Sequence, residues 1–235
     1  MADQVAILAA GMGTRLGQPF PKSLTPLSDG RTIMQQQFEN LEERLPDARI
    51  HVVVGFKFDM IMEAHPDALF VYNEYFDSTN TSKSLLRALR QSAPGGMLWL
   101  NGDVVFAPEI LDRLKPLMEQ EQSFVAVNTS HVGDEEVKYT VDAEGYIQGL
   151  SKTVENALGE AVGINYIAAA EKETLIKRLE EAEAQDYFER GVELAIEKDG
   201  LQVRPIDISD LYAIEVDFAE DLKAANAQLE DQTRQ

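Results

Sequence analysis

The apolar run Val5-Ala-Ile-Leu8 gives way at once to Ala9-Ala10-Gly11-Met12-Gly13-Thr14-Arg15-Leu16, and then to Pro19, Pro21 and Lys22. A continuous apolar run this short, closed by glycines, reads as a buried strand. Gly11 and Gly13 let backbone N–H groups approach an anion closely. Arg15 and Lys22 add positive charge. No acidic residue occurs from Gln4 to Ser28, although the chain carries a formal net charge of -20. An acidic protein that holds a polyphosphate needs one zone where the local field has the opposite sign. This segment supplies it.

Two other phosphate-binding patterns fail on detail. A dinucleotide fingerprint requires G-x-G-x-x-G opening a helix. Here Gly17 comes one position late, and Pro19 and Pro21 stop a helix. A P-loop requires G-K-[ST] after its spacer, and none is present. What remains is a strand, a glycine loop, and an extended proline-bearing segment that returns a lysine toward the loop.

Strand-like and helix-like segments alternate through residue 130. Helices are predicted over Thr32–Leu45, from Thr81 or Ser82 as cap to Gln91, and over Pro108–Glu121. Strands are predicted over Arg49–Val54, Leu69–Tyr72, Met97–Leu100 and Ser123–Asn128. Such alternation implies parallel strands with helical crossovers. Beyond residue 130 the pattern changes. Val137–Val141 and Tyr146–Leu150 flank Asp142-Ala-Glu-Gly145 as a hairpin. Val162–Ala168 reads as a strand, Glu171–Glu183 and Tyr187–Lys198 as helices. Leu201–Ile208 reads as an edge strand because it contains Pro205. A strand over Leu211–Val216 and a last helix to about Leu229 precede a polar tail, 230–235, expected to fray. The expected fold is a Rossmann-like, mostly parallel α/β sheet flanked by helices, with an added hairpin. It forms one domain, with residues 1–130 as its nucleotide-binding half and 131–229 as its acceptor and metal half.

In open α/β sheets, ligands bind beyond the carboxyl ends of the strands. Asn101-Gly102-Asp103 follows one such strand, and Glu215-Val216-Asp217 follows another. Strand alternation puts Glu215 and Asp217 on one side. Two carboxylates from distant segments can hold a Mg²⁺ that also touches phosphate, and their mutual repulsion would raise the pKa of one of them. Asp217 also fits as the N-cap of the following helix, and Asp103 as a turn residue. Lys83, Arg87 and Arg90 share one helix face. That face fits either a phosphate funnel or a solvated surface paired with nearby acids.

These elements together, L-A-A-G-x-G-x-R-L, P-K, a strand ending in G-D, and a late E-V-D before a terminal helix, resemble the sugar-phosphate nucleotidyltransferases. The look is nearest to the phosphocholine-type cytidylyltransferases, which carry an N-x-x-[FY] stretch and an asparagine turn like Asn73-Glu-Tyr-Phe76 and Thr79-Asn80-Thr81-Ser82. The resemblance implies a nucleotide-diphosphosugar-transferase fold. It implies that Leu8, Ala9, Ala10, Gly11, Met12, Gly13 and Thr14, with Thr79, Asn80, Thr81 and Ser82, bind a nucleoside triphosphate, CTP favoured. Arg15 and Lys22 would act on phosphates in catalysis, and Asp103 and Asp217 would hold Mg²⁺ as cofactor. The acceptor would be a phosphorylated small molecule: phosphocholine-like, a sugar or polyol phosphate, or a phosphonate. Lys152, Glu160 and Tyr187 are its candidate contacts. Choline-handling relatives cage the cation with aromatics, and Tyr139, Tyr166, Tyr187 and Phe188 are the aromatics of that region.

Composition narrows the alternatives. The chain has no cysteine, which removes disulfides and thiolate nucleophiles, and its histidines (His51, His65 and His131) are scattered. Its acidity argues against nucleic acid and anionic membranes as partners. No apolar run reaches membrane-span length and the start lacks a basic signal segment, so a cytoplasmic location is expected. A glycosyltransferase of related fold and a non-catalytic nucleotide-binding module are the rival classes. The first does not need the loop and P-K elements, and the second would lack the lysine or a metal aspartate.

Overall fold

The computed structural model describes residues 4–13, 16–130, 132–133 and 136–233. The first apolar run forms β1 (Gln4–Ala9), buried along its whole length. Parallel strands β2 (Arg49–Val54) and β3 (Leu69–Tyr72) lie on one side of it, and β4 (Met97–Asn101) lies parallel on the other. Beyond β4 the sheet turns antiparallel. The long β9 (Gly159–Ile167) runs between β4 and β6 (Phe124–Asn128), and β10 (Arg204–Asp207) closes that edge. Pro205 therefore sits on an edge strand, paired only with β6, as its missing N–H demands. The hairpin β7 (Lys138–Val141) and β8 (Ile147–Ser151) attaches through β7 to β9. Asp142 accepts from the N–H groups of Glu144 and Tyr146 and so closes the turn.

Alternation along β1 feeds two apolar layers. Ala6 and Leu8 join Trp99 under α3 (Thr81–Gln91), α5 (Lys172–Glu181) and α6 (Phe188–Asp199). Val5 and Ile7 join Leu98 and Leu100 under α1 (Ile33–Arg44) and α4 (Glu109–Glu119). Trp99 meets Phe188 edge-on at 5.6 Å. Each such fully buried large side chain contributes about 1.5–3 kcal/mol of transfer free energy.

The predicted elements fall at or near the observed ones, with four differences. Asn80 rather than Thr81 or Ser82 caps α3; its side chain accepts from the Thr81 N–H. The short helix α2 (Phe58–Ala64) has only Ile61 buried, too little to leave a helical period in the sequence. A further strand, β5 (Val104–Phe106), starts directly after Asp103 and pairs antiparallel with β11 (Ala213–Glu215) in a separate two-stranded ribbon. The last helix, α7 (Ala219–Thr233), continues through residues 230–233, so most of the expected frayed tail is helical. Its Ala225 and Leu229 pack with Val105 and Val216 of the ribbon region. No helix among the described residues is long and apolar enough to cross a membrane.

Candidate active site

A cavity of about 380 Å³ opens beyond the carboxyl ends of β1 and β4. The backbone builds its rim. The N–H of Gly102 donates to Leu8 O at 2.9 Å, and Phe56 N–H donates to Ala10 O at 3.1 Å. Gly102 is forced by closeness: a Cβ there would lie 2.9 Å from Leu8 O. Gly13 has φ +57°, and a Cβ on it would lie 2.8 Å from the Lys22 Cβ. The glycine loop therefore rests directly on the segment that carries Lys22, which enters a short 3-10 turn behind Pro21.

At the cavity wall Lys22 Nζ donates to Asp103 Oδ2 at 2.6 Å and also to Asp217 Oδ1. The ribbon makes this convergence. In its antiparallel register Glu215 faces Val104, and Val216 N–H donates to the Asp103 carbonyl at 2.9 Å. Asp103 just before β5 and Asp217 just after β11 thus arrive side by side. Asp221, not Asp217, accepts from the Asp217 and Phe218 N–H groups at the head of α7. Burial pulls the Lys22 ammonium down, but the charges and hydrogen bonds of both aspartates outweigh it and hold its pKa above the ordinary value. With this lysine between them, the two aspartates do not face each other bare. The carboxyl that the cluster pushes well up is Glu215, through burial first and then the charges of Asp103 and Glu136.

The donor set fits a hard cation. Asp103 Oδ1 is buried without a hydrogen-bond partner among the described residues, and Asp217 is the second oxygen donor beside it. Mg²⁺ is usually held by one or two carboxylates plus phosphate. Among the described residues no three acidic or histidine side chains form a ready cage, so phosphate oxygens would have to complete the shell.

Of the expected nucleotide residues, Leu8, Ala9, Gly11, Gly13, Asn80 and Thr81 line the cavity. Ala10 sits behind the rim, and Met12 is exposed. Thr14 and Arg15 lie outside the described residues. Thr79 and Ser82 stand behind the lining: Thr79 Oγ1 donates to Tyr75 O at 2.7 Å and accepts from Asn73, while Ser82 is buried. Asn73 is buried and bonds both Thr79 and Ser84, which knits this turn together. The turn is joined to the segment before α6. Asn80 N–H donates to Ala184 O, and Phe188 N–H donates to Thr81 Oγ1.

Of the expected acceptor contacts, Lys152 and Tyr187 line the cavity together, with Lys152 Nζ 5.0 Å from the Tyr187 ring centre. Glu160 does not line it; its Oε2 accepts from Gly133 N–H at 2.7 Å. Tyr139 and Tyr166 are core residues, Tyr166 stacked on Phe124 at 5.5 Å. The basic face of α3 is a paired surface. Lys83 donates to the Leu179 carbonyl at 2.8 Å at the end of α5, Arg87 pairs with Glu74, and Arg90 with Glu180.

Several side chains that line or brace the cavity are not among the candidate site residues read from the sequence. Asn101, Glu136 and Glu189 also line the cavity. Gln37, fully buried on α1, donates to both Asn101 O (2.9 Å) and Val104 O (2.8 Å), the carbonyls flanking Gly102-Asp103. Gln36 and Asn40 both donate to Phe106 O. Amides on the inward side of an otherwise apolar helix face were the available signal.

Residues 5–190 match the family described as the MobA-like NTP transferase domain. The chain is 28% identical over 249 aligned positions to a CMP-5'-(3-aminopropyl)phosphonate synthase of Streptomyces rubellomurinus, covering 95% of this chain and 38% of that protein. It is 30% identical over 131 residues to the bifunctional protein GlmU of Trichormus variabilis, covering 54% of this chain and 29% of that protein. The chain thus spans well under half the length of these curated relatives. Its fold is similar to that of the CTP:phosphocholine cytidylyltransferase LicC of Streptococcus pneumoniae, with a TM-score of 0.75 at 19% identity, over 97% of this chain and 100% of that one.

Proposed function

This chain belongs to the MobA-like NTP transferase domain family, and from that premise we propose that it is a nucleotidyltransferase. It transfers a nucleoside monophosphate, CMP for preference, from the triphosphate to a phosphorylated or phosphonylated small acceptor, with release of pyrophosphate. The observation that carries this reading is Lys22 held between Asp103 and Asp217 beside the glycine loop. CMP as the transferred group is favoured by the phosphonate synthase relative and the cytidylyltransferase fold neighbour.

The chemistry follows from that cluster. An acceptor oxygen attacks the α-phosphorus in line, and pyrophosphate leaves from the opposite side. That oxygen is already ionised at neutral pH, so no general base is needed. Catalysis rests on positioning two anions and on stabilising the charge that moves to the leaving group. The loop N–H groups at Gly11 and Gly13 orient the triphosphate. Lys22, released toward phosphate, neutralises charge near the α-phosphorus, and Arg15 is assigned to the pyrophosphate. Asp103 and Asp217 would hold Mg²⁺, which when bound draws phosphate oxygens together and offsets their charge. The Thr79–Ser82 turn borders the base.

The test is pyrophosphate release from CTP, UTP, ATP and GTP with Mg²⁺, against a panel of phosphorylated acceptors. Acceptor-dependent release, greatest with CTP, is expected. A glycosyltransferase or a non-catalytic module would release none.

A further inference from the structure

The cavity holds more negative charge than a site for two anionic substrates needs. Lys22 is engaged by Asp103 and Asp217. Lys152 is the other described cation in the lining. Glu136, Glu189 and Glu215 also line the cavity, and none of them has an ion pair among the described residues. Glu215 belongs to the Lys22–Asp103–Asp217 cluster, where a bound Mg²⁺ would offset charge, whereas Glu189 has Lys152 and Glu193 as its charged neighbours and needs a cation of its own when ionised.

Glu189 is the most telling of them. It sits in the first turn of α6, 8% exposed, and its Oε2 has no hydrogen-bond partner among the described residues. Burial lifts its carboxyl to about 7. Its own backbone N–H and the charge of Lys152 favour the ionised form but do not outweigh burial; such a carboxylate is costly, and a positively charged donor at Oε2 offsets that cost. The neighbouring aromatics Tyr187 and Phe188 line the cavity too, but each already has a partner. The Tyr187 ring already carries Lys152 Nζ, and Phe188 is buried against Trp99. A quaternary ammonium lacks the N–H that Oε2 requires.

We propose that Glu189 receives a primary ammonium group of the acceptor, which makes the acceptor a short amino-alkyl phosphate or phosphonate. The zwitterion would set its anionic end toward Lys152 and Lys22 and its ammonium at Glu189. This rests on the transferase reading above and narrows its acceptor class. It makes Glu189 a specificity-determining residue, because a site built around a buried hydrogen bond rejects analogues that lack the donor.

The experiment measures pyrophosphate release from CTP and Mg²⁺ with four acceptors: 2-aminoethylphosphonate, its N-trimethyl analogue, 2-hydroxyethylphosphonate and glucose 1-phosphate. The native enzyme should prefer the amine by at least about a hundredfold in kcat/KM, the scale of losing a buried charged hydrogen bond. In Glu189→Gln that preference should shrink to about tenfold or less. A native preference for the trimethyl, hydroxyl or sugar acceptor overturns the inference and leaves the transferase reading standing. An undiminished preference in Glu189→Gln does the same. Absence of release with every acceptor and every triphosphate overturns both. Should Glu189→Gln not fold, the native panel alone decides, with Glu189→Asp as the second variant.

Discussion

Lys22 and Asp103, 81 positions apart in sequence, meet at 2.6 Å, and the same ammonium donates to Asp217. In the protein alone the lysine is the counter-ion of the very carboxylates assigned to the metal. On the proposed function, substrate binding would exchange these partners: Lys22 would turn to phosphate, and Asp103 and Asp217 would be left to hold a divalent cation.

Removing the lysine should separate two effects. Lys22→Ala is expected to lower kcat by at least about a hundredfold, the usual scale for losing one charge-stabilising donor. It should also destabilise the protein by about 1 kcal/mol, since the aspartates then face each other with part of their surface still wet. Mg²⁺ should recover that loss. Steady-state kinetics and thermal unfolding with and without Mg²⁺ report on the two effects. A melting temperature of Lys22→Ala that is indifferent to Mg²⁺ would remove the aspartate pair from metal binding.

The two loop glycines should behave differently. A Cβ at Gly11 meets nothing within 4 Å, whereas one at Gly13 meets the Lys22 Cβ at 2.8 Å in a left-handed backbone. Gly11→Val should unfold normally yet bind CTP at least about tenfold more weakly, because its side chain enters the cavity. Gly13→Val should lower stability as well. Calorimetric titration with CTP, alongside circular dichroism melts, tests both. Native affinity in a folded Gly11→Val would show that the loop does not hold the nucleotide.

Asp103→Asn and Asp217→Asn should each abolish turnover while the fold persists. Asp221 accepts from the N–H groups of residues 217 and 218, and an asparagine at 217 keeps an oxygen acceptor for any capping role. Mn²⁺ binding in the presence of CTP, followed by electron paramagnetic resonance, should weaken in both variants. Metal affinity equal to that of the native protein in either variant would mean the wrong donor had been chosen.

Glu189 gives a stability profile with a definite sign. Burial pushes its carboxyl up to about 7 in the folded protein from the ordinary 4.5, so between these values the folded state binds more protons than the unfolded one. Stability should fall as pH rises from about 5 to 8, by about 3 kcal/mol at most. Glu189→Gln should flatten this part of the profile. Denaturant melts across that pH range give the comparison, and parallel native and variant profiles would place the titration elsewhere.

The sequence was explicit wherever one segment sufficed. The glycine loop, the proline-delivered lysine, and strands such as Arg49–Val54 and Leu69–Tyr72 each declare themselves within a few residues, and they lie where expected. Asp103 and Asp217 were legible as strand-end carboxylates, but the ribbon that unites them was not. β5 and β11 are three residues each, too short to show a period. Gln37 was hidden because its amide acts on distant backbone carbonyls rather than on a patterned neighbour. Glu189 was hidden within a helix face that otherwise reads as ordinary, since only the fold shows which acidic residue is turned from water. Thr14 and Arg15 stay as sequence expectations.

The ribbon also widens the set of residues on which the candidate site depends. A pairing slip of one residue between β5 and β11 would reverse every side chain along them, and Asp217 would leave Lys22 and Asp103. Val105, Val216, Ala225 and Leu229 pack together against that slip. The terminal helix, whose residues do not line the cavity, thereby works as a jig for the Lys22–Asp103–Asp217 cluster. The matched family region ends at residue 190, so a fragment trimmed there would keep the nucleotide loop and lose both the jig and half of the carboxylate pair it aligns.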